Sequence, residues 1–435
     1  RWTPCVGTDR RPRRHTPGGD VAGLPARKAA LALLDAVLRR GEPMEQAAHA
    51  ACQRLPSDDR ALAIAIAGDA LRWLGALDTL IDSATSERLP DDSKVRGVLR
   101  IALVQLIGLG IAPHAVVATS LALLVGGPRR LAHAILSRAQ RDGWTLPATP
   151  ALPEAAAARW IAAWGEAVAQ SAASGWREPP PIDLMFKSQA AADAFPDGAA
   201  LAPRHRRLPR SGRVEALPGY GEGDWWVQDL AASIPAALLG NGAGRRALDL
   251  CAAPGGKTMQ LAAAGWGVTA LDISARRAER LRGNLARTGL SAQLVIADMA
   301  DYAPAARFDA ILLDAPCSAT GTWRRHPDVL HRIDDAAIAL LAAQQATMLA
   351  RAASWAAPGG HLVFATCSLE PAEGEAIVAD FLAAHGGWTI DPVRADDLPA
   401  GIAPTATGCV RTLPGMLADE GGFDGFFAAR LTFQP

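Results

Sequence analysis

The chain has 435 residues, of which half are hydrophobic and a fifth are charged, so it is long enough for two or three globular domains. Its 44 basic and 44 acidic residues balance, so a nucleic-acid partner has to be argued from local patches and not from overall charge. The six cysteines form no Cys-x-x-Cys pair and no cluster with histidines at zinc spacing, which argues against a disulfide framework and predicts no metal site.

Residues 1–24 are rich in arginine, proline and glycine and show no hydrophobic periodicity, which predicts a disordered basic lead-in. Residues 25–144 have apolar residues at helical spacing, and Leu31, Leu34 and Leu38 mark the first stripe. This pattern predicts an all-helical domain. The N-terminus lacks the apolar core of a secretory signal, so we expect the protein to be cytoplasmic.

The stretch 101–128 contains no Asp, Glu, Lys or Arg and is long enough to span a bilayer. Gly108, Gly110 and Pro113 interrupt it in the middle, which favours two buried helices joined by a turn. We therefore expect no membrane association.

Residues 145–224 combine helical segments with a stretch that proline and glycine interrupt, which predicts a small connecting α/β subdomain. Within it, five arginines lie between residues 200 and 213 without an acid, among them Arg204, Arg206 and Arg207. This run is typical either of a solvated loop or of a segment that contacts RNA phosphates.

Residues 225–435 alternate apolar runs with helical stretches, which predicts a doubly wound parallel sheet. In such sheets ligands gather at the carboxyl ends of the strands, so the residues that follow each run are candidate site residues. The predicted strands are residues 247–250, 268–273, 293–296, 310–313 and 361–364, with one more at 425–431.

A glycine-rich turn follows the first of these strands, in the segment Asp249-Leu250-Cys251-Ala252-Ala253-Pro254-Gly255-Gly256-Lys257-Thr258. Its backbone N–H groups and the start of the next helix can approach the charged end of a cofactor closely. Asp272 ends the second strand, where a carboxylate can accept both ribose hydroxyls, and Asp298 follows the third, where it can face an adenine edge. Acids at three consecutive strand ends predict an adenosine pocket.

A P-loop is the competing interpretation of this turn. Gly256-Lys257-Thr258 matches the end of that motif, and Asp314 after an apolar strand resembles its metal-holding acid. The match fails at Cys251, which stands where the first glycine belongs and whose Cβ restricts the backbone. A nucleotide triphosphatase is therefore the weaker alternative.

Two cysteines follow later strands, Cys317 shortly after residues 310–313 and Cys367 shortly after residues 361–364. Each alone is more often a buried small hydrophobe than a catalyst, but two thiols at one sheet edge can face one substrate. A thiolate that adds to carbon 6 of cytosine makes carbon 5 nucleophilic toward a sulfonium methyl, and a base must then remove the carbon 5 proton. The chemistry asks for one nucleophile and one base and does not choose between the two thiols.

Neighbouring groups fit the same reaction. Asp314 can hydrogen-bond ring N3 and the exocyclic amine, and Lys257 can bind the base or lower a thiolate pKa. Trp323, Arg324 and Arg325 follow the first thiol, and an aromatic ring beside cations suits single-stranded RNA, although a surface loop has the same composition.

Taken together, these segments resemble the NOL1/NOP2/Sun family of RNA cytosine-5 methyltransferases, and within it the bacterial enzymes that act on 16S ribosomal RNA. The helical part, with Ile111-Ala112-Pro113-His114-Ala115, resembles the NusB-type RNA-binding domain of that subgroup. The segments that carry the resemblance are Val227-Gln228-Asp229, Leu250 to Thr258, Asp314-Ala315-Pro316-Cys317-Ser318-Ala319-Thr320-Gly321, Arg325-His326-Pro327-Asp328, Ala365-Thr366-Cys367-Ser368 and Leu413-Pro414-Gly415.

The resemblance implies a Rossmann-like S-adenosylmethionine-dependent methyltransferase domain at 225–435, preceded by the all-α NusB-like domain and the small α/β subdomain. It implies that Cys367 is the nucleophile, that Cys317 assists product release, and that Asp314 and Lys257 support catalysis. The cofactor would be held by Cys251, Ala252, Ala253, Pro254, Gly255, Gly256 and Lys257 with Asp272, Asp298 and Asp314. The RNA contacts would come from Arg204, Arg206, Arg207, Arg324 and Arg325.

The function implied is methylation of carbon 5 of a cytosine in 16S ribosomal RNA through a covalent cysteine–cytosine intermediate, by a monomer that needs no metal. The alternatives are a non-catalytic RNA-binding or antitermination-type protein and the P-loop triphosphatase, and the two thiols with an intact cofactor loop favour the enzyme. Residues 371–375 differ from the family's usual Pro-Glu-Glu-Asn-Glu, and we expect this difference to leave the chemistry unchanged.

Overall fold

A computed structural model describes residues 21–210 and 212–434. The chain divides into two compact units, one that extends to Leu146 and lacks residues 41–43, and one that contains those three residues and continues from Pro147. Most of the predicted lead-in, residues 1–20, lies outside the described residues.

The first unit is helical, and its core is formed by the apolar faces that the sequence pattern predicts. Leu34 is buried, while Leu31 and Leu38 pack beside it against the same core. The apolar stretch 101–128 is broken as expected, because a π-helical turn at Val104–Gly108 precedes a new helix that begins at Pro113. The helices are α1 (Leu24–Arg40), α2 (Met44–Ala51), α3 (Ser57–Arg72), α4 (Leu74–Asp82), α5 (Lys94–Leu103), α6 (Pro113–Ala122) and α7 (Gly126–Arg141).

The second unit begins with a helical hairpin, α8 (Glu154–Trp164) and α9 (Glu166–Trp176), which turns at Gly165 with φ of 87°. Trp160 and Trp176 are fully buried in a core that also contains Trp323, and we call these three residues the tryptophan cluster. The rings of Trp160 and Trp323 meet edge to face with centroids 5.8 Å apart.

A three-stranded antiparallel sheet follows, formed by β1 (Ile182–Phe186), β2 (His205–Leu208) and β3 (Trp225–Val227) in the order β2-β1-β3, with α10 (Gln189–Ala194) between β1 and β2. Because β3 begins at Trp225, this sheet takes strands from both sides of the predicted boundary between residues 224 and 225. The division of the chain into the predicted domains stays a prediction.

The main sheet has eight strands, and five of them, β4 to β8, run parallel. All six predicted strands are present, and β9 and β10, of three residues each, were not predicted. The order is β10-β11-β8-β7-β4-β5-β6, and β9 pairs with β11. The strands are β4 (Arg246–Leu250), β5 (Gly267–Asp272), β6 (Gln293–Ile296), β7 (Phe308–Asp314), β8 (Ala356–Thr366), β9 (Trp388–Ile390), β10 (Val410–Thr412) and β11 (Phe426–Phe433).

Helices cover this sheet and complete the Rossmann-like fold. They are α11 (Leu230–Ala237), α12 (Gly256–Ala263), α13 (Ala275–Thr288), α14 (Val329–Arg332), α15 (Asp335–Ala353) and α16 (Glu375–Ala384). Among the described residues, α15 alone is long and apolar enough to cross a membrane, and it places Leu349 and Ala352 in the core beside the sheet.

The strand order fixes the position of the site. After β4 the chain adds β5 and β6 on one side and then crosses to add β7 and β8 on the other, so the order reverses between β4 and β7. Ligands of such sheets bind in the crevice beyond the carboxyl ends at this reversal. Cys251, Cys317 and Cys367 follow β4, β7 and β8 at that edge.

Candidate active site

The loop after β4 is shaped by left-handed backbone conformations and is held by side chains from α13. Cys251 has a left-handed φ of 59° and Gly255 a φ of 108°, and a Cβ at residue 255 would lie 2.1 Å from Leu281 Cδ1, so only glycine fits there. From α13, Asn284 donates a hydrogen bond to the Pro254 carbonyl at 3.0 Å, and Arg277 donates to the Ala253 carbonyl. The helix α12 begins at Gly256, directly after this loop, and the free N–H groups at the start of a helix favour a charged ligand.

Two of the predicted acids border a cavity of about 340 Å³ beside this loop. Asp272 is 2% exposed and accepts hydrogen bonds from Ala253 N at 3.0 Å and Ser274 N at 2.9 Å, so it links the loop to β5. Asp298 is exposed and accepts from Ala300 N at 2.7 Å. Ile273, which is 65% exposed, adds an apolar surface to the cavity. Carboxylates beside an apolar face suit a ribose and an adenine ring.

The third acid, Asp249, is buried behind the loop and accepts a hydrogen bond from Thr258 Oγ1 through Oδ2. Its other oxygen, Oδ1, is buried without a hydrogen-bond partner among the described residues. Burial raises the pKa of Asp249 to about 7. A buried acceptor without a donor fits the amino group and positive sulfonium of S-adenosylmethionine, so the residues present fit this cofactor.

Burial also raises the pKa of Cys251 to about 12, so this thiol stays protonated at neutral pH. Cys251 lines both the 340 Å³ cavity and a second cavity of about 550 Å³, so the loop borders both cavities. In the second cavity, Lys257 Nζ donates to Asp314 Oδ2 at 2.7 Å and lies 5.1 Å from the ring of Phe426. Sequence positions 57 residues apart are thereby joined at the carboxyl ends of β4 and β7.

The two thiols that follow β7 and β8 are in contact, since Cys317 Sγ and Cys367 Sγ are 3.4 Å apart. Both side chains are half-buried. The neighbouring Cys367 thiol and burial together raise the pKa of Cys317 well above its ordinary value. A pair of sulfurs at this distance can reach two adjacent atoms of one ring, which is the geometry that addition at carbon 6 and proton removal at carbon 5 require.

One buried acid beside the thiols was missed by the sequence reasoning. Glu373 has no exposed surface, and its carboxylate accepts hydrogen bonds from residues adjacent to both cysteines, Ser318 and Ser368. The signal available in the sequence was the serine that directly follows each cysteine. If both hydroxyls are buried, each needs a hydrogen-bond acceptor, and one buried carboxylate can serve both.

Comparison with known proteins decides the family. A family model described as 16S rRNA methyltransferase RsmB/F matches residues 236–432, and a NusB family model matches residues 24–127. The ribosomal RNA small subunit methyltransferase B of Xylella fastidiosa strain Temecula1 is 36% identical over 94% of this chain and 98% of its own. Its counterpart in Pseudomonas syringae pv. tomato is 34% identical over 93% of this chain and 96% of its own.

The chain belongs to this methyltransferase family. The solved structure of PH0851 has a TM-score of 0.71 with 20% identity and covers 95% of this chain and 99% of its own, which shows the same fold. The family and the fold class expected from the motifs are confirmed, and S-adenosylmethionine is the cofactor. The P-loop alternative is wrong, although not for the reason given above, because Cys251 does adopt a left-handed backbone despite its Cβ.

Within this methyltransferase, two of the arginines expected to contact RNA are buried. Arg207 is 6% exposed and donates from Nε and Nη2 to the two carboxylate oxygens of Asp183, each at 2.7 Å. Burial alone would raise the pKa of Asp183, but the bonds from Arg207 outweigh it and lower that pKa to about 2. Arg324 is 5% exposed and donates to the Gly421 carbonyl at 2.7 Å. The expectation that these two guanidinium groups face RNA is therefore wrong, because the fold uses them internally.

The remaining arginines are accessible. Arg204 and Arg206 are half-buried, donate to the carbonyls of Ala263 and Ala192 at 3.3 and 3.0 Å, and stay predicted RNA contacts. Arg325 lines the 550 Å³ cavity and pairs with Asp424, which has no exposed surface.

Trp323 was expected to stack on RNA. It is 1% exposed within the tryptophan cluster, so a stacking role is wrong. Its indole N–H donates to the Ala172 carbonyl at 3.2 Å, and its own carbonyl accepts from Trp176 Nε1 at 3.0 Å.

Proposed function

We propose that this enzyme transfers a methyl group from S-adenosylmethionine to carbon 5 of a cytosine in 16S ribosomal RNA, in the cytoplasm, through a covalent bond between Cys367 and carbon 6. The observation that carries the proposal is the 3.4 Å contact between Cys317 and Cys367, placed beside the Lys257–Asp314 pair at the reversal of strand order. A methyltransferase that acts on an amine or hydroxyl has no need of two thiols in contact.

Each step of this reaction other than the supply of the methyl group is assigned to a residue of this chain. The Cys367 thiolate bonds to carbon 6, and Asp314, fixed by Lys257, accepts a hydrogen bond from the exocyclic amine. The cofactor supplies an electrophilic methyl group, which carbon 5 takes up. Once Cys367 is bonded to carbon 6, its sulfur no longer carries the charge that raises the pKa of Cys317, and the Cys317 thiol releases its proton to solvent. The Cys317 thiolate then accepts the carbon 5 proton, the bond between Sγ of Cys367 and carbon 6 breaks, and the electron pair of that bond returns to Cys367 as a thiolate.

The substrate assignment rests on the family and on the first unit. The match of residues 24–127 to the NusB family supports a role of this unit in RNA binding. Its helix α7 presents exposed arginines, which include Arg129 and Arg130. Positive side chains on a helix surface favour contact with RNA phosphates.

The deciding experiment compares 5-methylcytosine maps of 16S ribosomal RNA from cells with and without this protein. We expect one cytosine to lose its methyl group in the deletion strain and to regain it when the wild-type chain is supplied. Identical maps in the two strains would overturn the proposal. Restoration by the wild-type chain but not by a Cys367→Ala chain would link the mark to this site.

A further inference from the structure

Glu373 lies in a short 3-10 turn between β8 and α16, with no exposed surface. Four hydrogen-bond donors converge on its carboxylate. Oε1 accepts from Ser318 N at 2.9 Å and from Gln345 Nε2 at 3.0 Å. Oε2 accepts from Ser368 Oγ at 2.6 Å and from Ser318 Oγ. All four donors are neutral, so the group acts here through directed hydrogen bonds and not through an ion pair.

The donors flank both thiols. Ser318 directly follows Cys317 and Ser368 directly follows Cys367. Gln345 of α15 also donates to the Pro316 carbonyl at 2.8 Å, on the other side of Cys317.

On the Cys367 side, Thr366 Oγ1 donates to the backbone carbonyl of Glu373 at 2.9 Å. One residue therefore bonds, directly or through Gln345, to the chain on both sides of each cysteine. Glu373 thus links the loops that follow β7 and β8, whose cysteines are 50 residues apart in sequence.

A carboxylate is the side chain that this arrangement requires. It offers only acceptors, whereas the isosteric amide of glutamine would turn an N–H group toward one pair of donors. The serine hydroxyls or the amide of residue 318 would then be left buried without an acceptor, and the loops would shift to relieve this. The packing volume would hardly change, so a substitution by glutamine isolates the hydrogen bonding.

We propose that Glu373 is a positioning residue for methyl transfer, which sets the distance and direction of the Cys317 and Cys367 sulfurs through the serines that follow them. The inference rests on the proposed function, because it assumes that the two sulfurs act on neighbouring ring atoms. Reactions held at near-attack geometry lose about a hundredfold in rate for a displacement on the order of 1 Å, so small shifts of these loops are costly.

The test is Glu373→Gln in the full chain, with cognate RNA that carries 5-fluorocytosine. After methyl transfer this base has no carbon 5 proton to lose, so the adduct with Cys367 accumulates. Its final amount measures the fraction of protein molecules that have a competent active site. We expect adduct formation to slow by about a hundredfold while its final amount stays close to that of the wild type. Affinity for S-adenosylmethionine should stay within about twofold, because the side chains that bond to Glu373 among the described residues lie outside the cofactor loop.

A matched control is Asp391→Asn, which makes the same acid-to-amide change away from the carboxyl ends of the parallel strands. Asp391 directly follows β9 and pairs with Arg430 at 2.7 Å. It should form the adduct at the wild-type rate. If Glu373→Gln lowers the final amount of adduct but not its rate, the residue only supports folding and the proposal is overturned. If the wild type itself forms no adduct, the proposed function fails, which is a different result from failure of the positioning role.

Two milder variants keep the proposal testable if Glu373→Gln does not fold. Ser318→Ala removes the hydroxyl beside Cys317, so on unmodified RNA we expect the adduct to form normally and to break down slowly. Ser368→Ala removes the hydroxyl beside Cys367, so we expect the adduct to form slowly. Wild-type rates of both steps in both variants would overturn the proposal.

Discussion

The two sides of the cleft between β4 and β7 are built differently. The cofactor side is built around one continuous segment, residues 249–257, which is shaped by Gly255 and held by hydrogen bonds with the side chains of Asp272, Arg277 and Asn284. The thiol side joins two segments that are 50 residues apart, and a third residue, Glu373, fixes both. We infer that substitutions on the cofactor side weaken binding in a graded way, whereas those on the thiol side interrupt a particular chemical step.

The largest effect is expected from Cys367→Ala. Removal of the nucleophile should lower methylation by about a thousandfold or more, because no other group can activate carbon 5, while the adenosine pocket is untouched. Transfer of a radioactive methyl group to RNA measures the loss, and calorimetry with S-adenosylmethionine measures retained binding. Methylation of carbon 5 by this variant would make the assignment of the nucleophile wrong.

Cys317→Ala should stop turnover in a different way. Addition and methyl transfer remain possible, but the carbon 5 proton has no base, so RNA should stay attached to Cys367. Denaturing gels would show a slowly migrating complex of protein and RNA, and a Cys317→Ala/Cys367→Ala double variant is the control that should show none. Absence of the complex in the single variant would contradict the release role.

Asp272→Asn probes the cofactor side. It removes one charged acceptor from a buried position, which is worth about 1.5–3 kcal/mol, so the Kd for S-adenosylmethionine should rise by roughly ten- to a hundredfold. The maximal rate at saturating cofactor should change little. Asp298→Asn is the matched control with an exposed side chain and should have a smaller effect. Equal effects of the two variants would contradict the contrast between buried and exposed acids.

Asp249→Asn should change stability in a pH-dependent way. The pKa of this group is raised from 3.8 to about 7 by burial, so the folded protein holds a proton that the unfolded chain releases, and stability falls as pH rises from about 4 to about 7. Asparagine does not titrate, so the Tm of the variant relative to wild type should increase over that range. Each kcal/mol corresponds to about 1–2 °C in a protein of this size, since the entropy of unfolding grows with chain length. A pH-independent difference in Tm would contradict the raised pKa.

What the sequence could predict follows the same division. The strands β4, β5 and β7 are buried on both faces and so appear as continuous apolar runs. The residues that follow the parallel strands meet at one edge of the sheet by topology alone. The cofactor loop is local and therefore visible as a motif. The contact between Cys317 and Cys367 could be expected as proximity, although not as 3.4 Å.

What the sequence concealed depends on distant partners. Arg207 looked like part of a solvated run because its partner, Asp183, lies on a neighbouring strand, and an acid inside the apolar run 182–186 was the available hint. Trp323 looked like an RNA contact because the residues that bury it lie about 150 positions earlier in the sequence. One of them is Ala172, whose carbonyl accepts a hydrogen bond from the Trp323 indole. The short strands β9 and β10 exist only through pairing with β11.

The helical hairpin α8–α9 has a practical consequence for where an independent catalytic fragment can start. Trp164 Nε1 donates to the Leu369 carbonyl at 2.8 Å and Trp160 Nε1 to Glu370 at 3.1 Å, while Trp176 holds the backbone at residue 323. Indoles from before the first strand thus brace the segments downstream of both sulfurs. A truncated version cut at the first parallel strand would keep the cofactor loop and both thiols yet lose these indole contacts, so the shortest active fragment should begin ahead of Glu154.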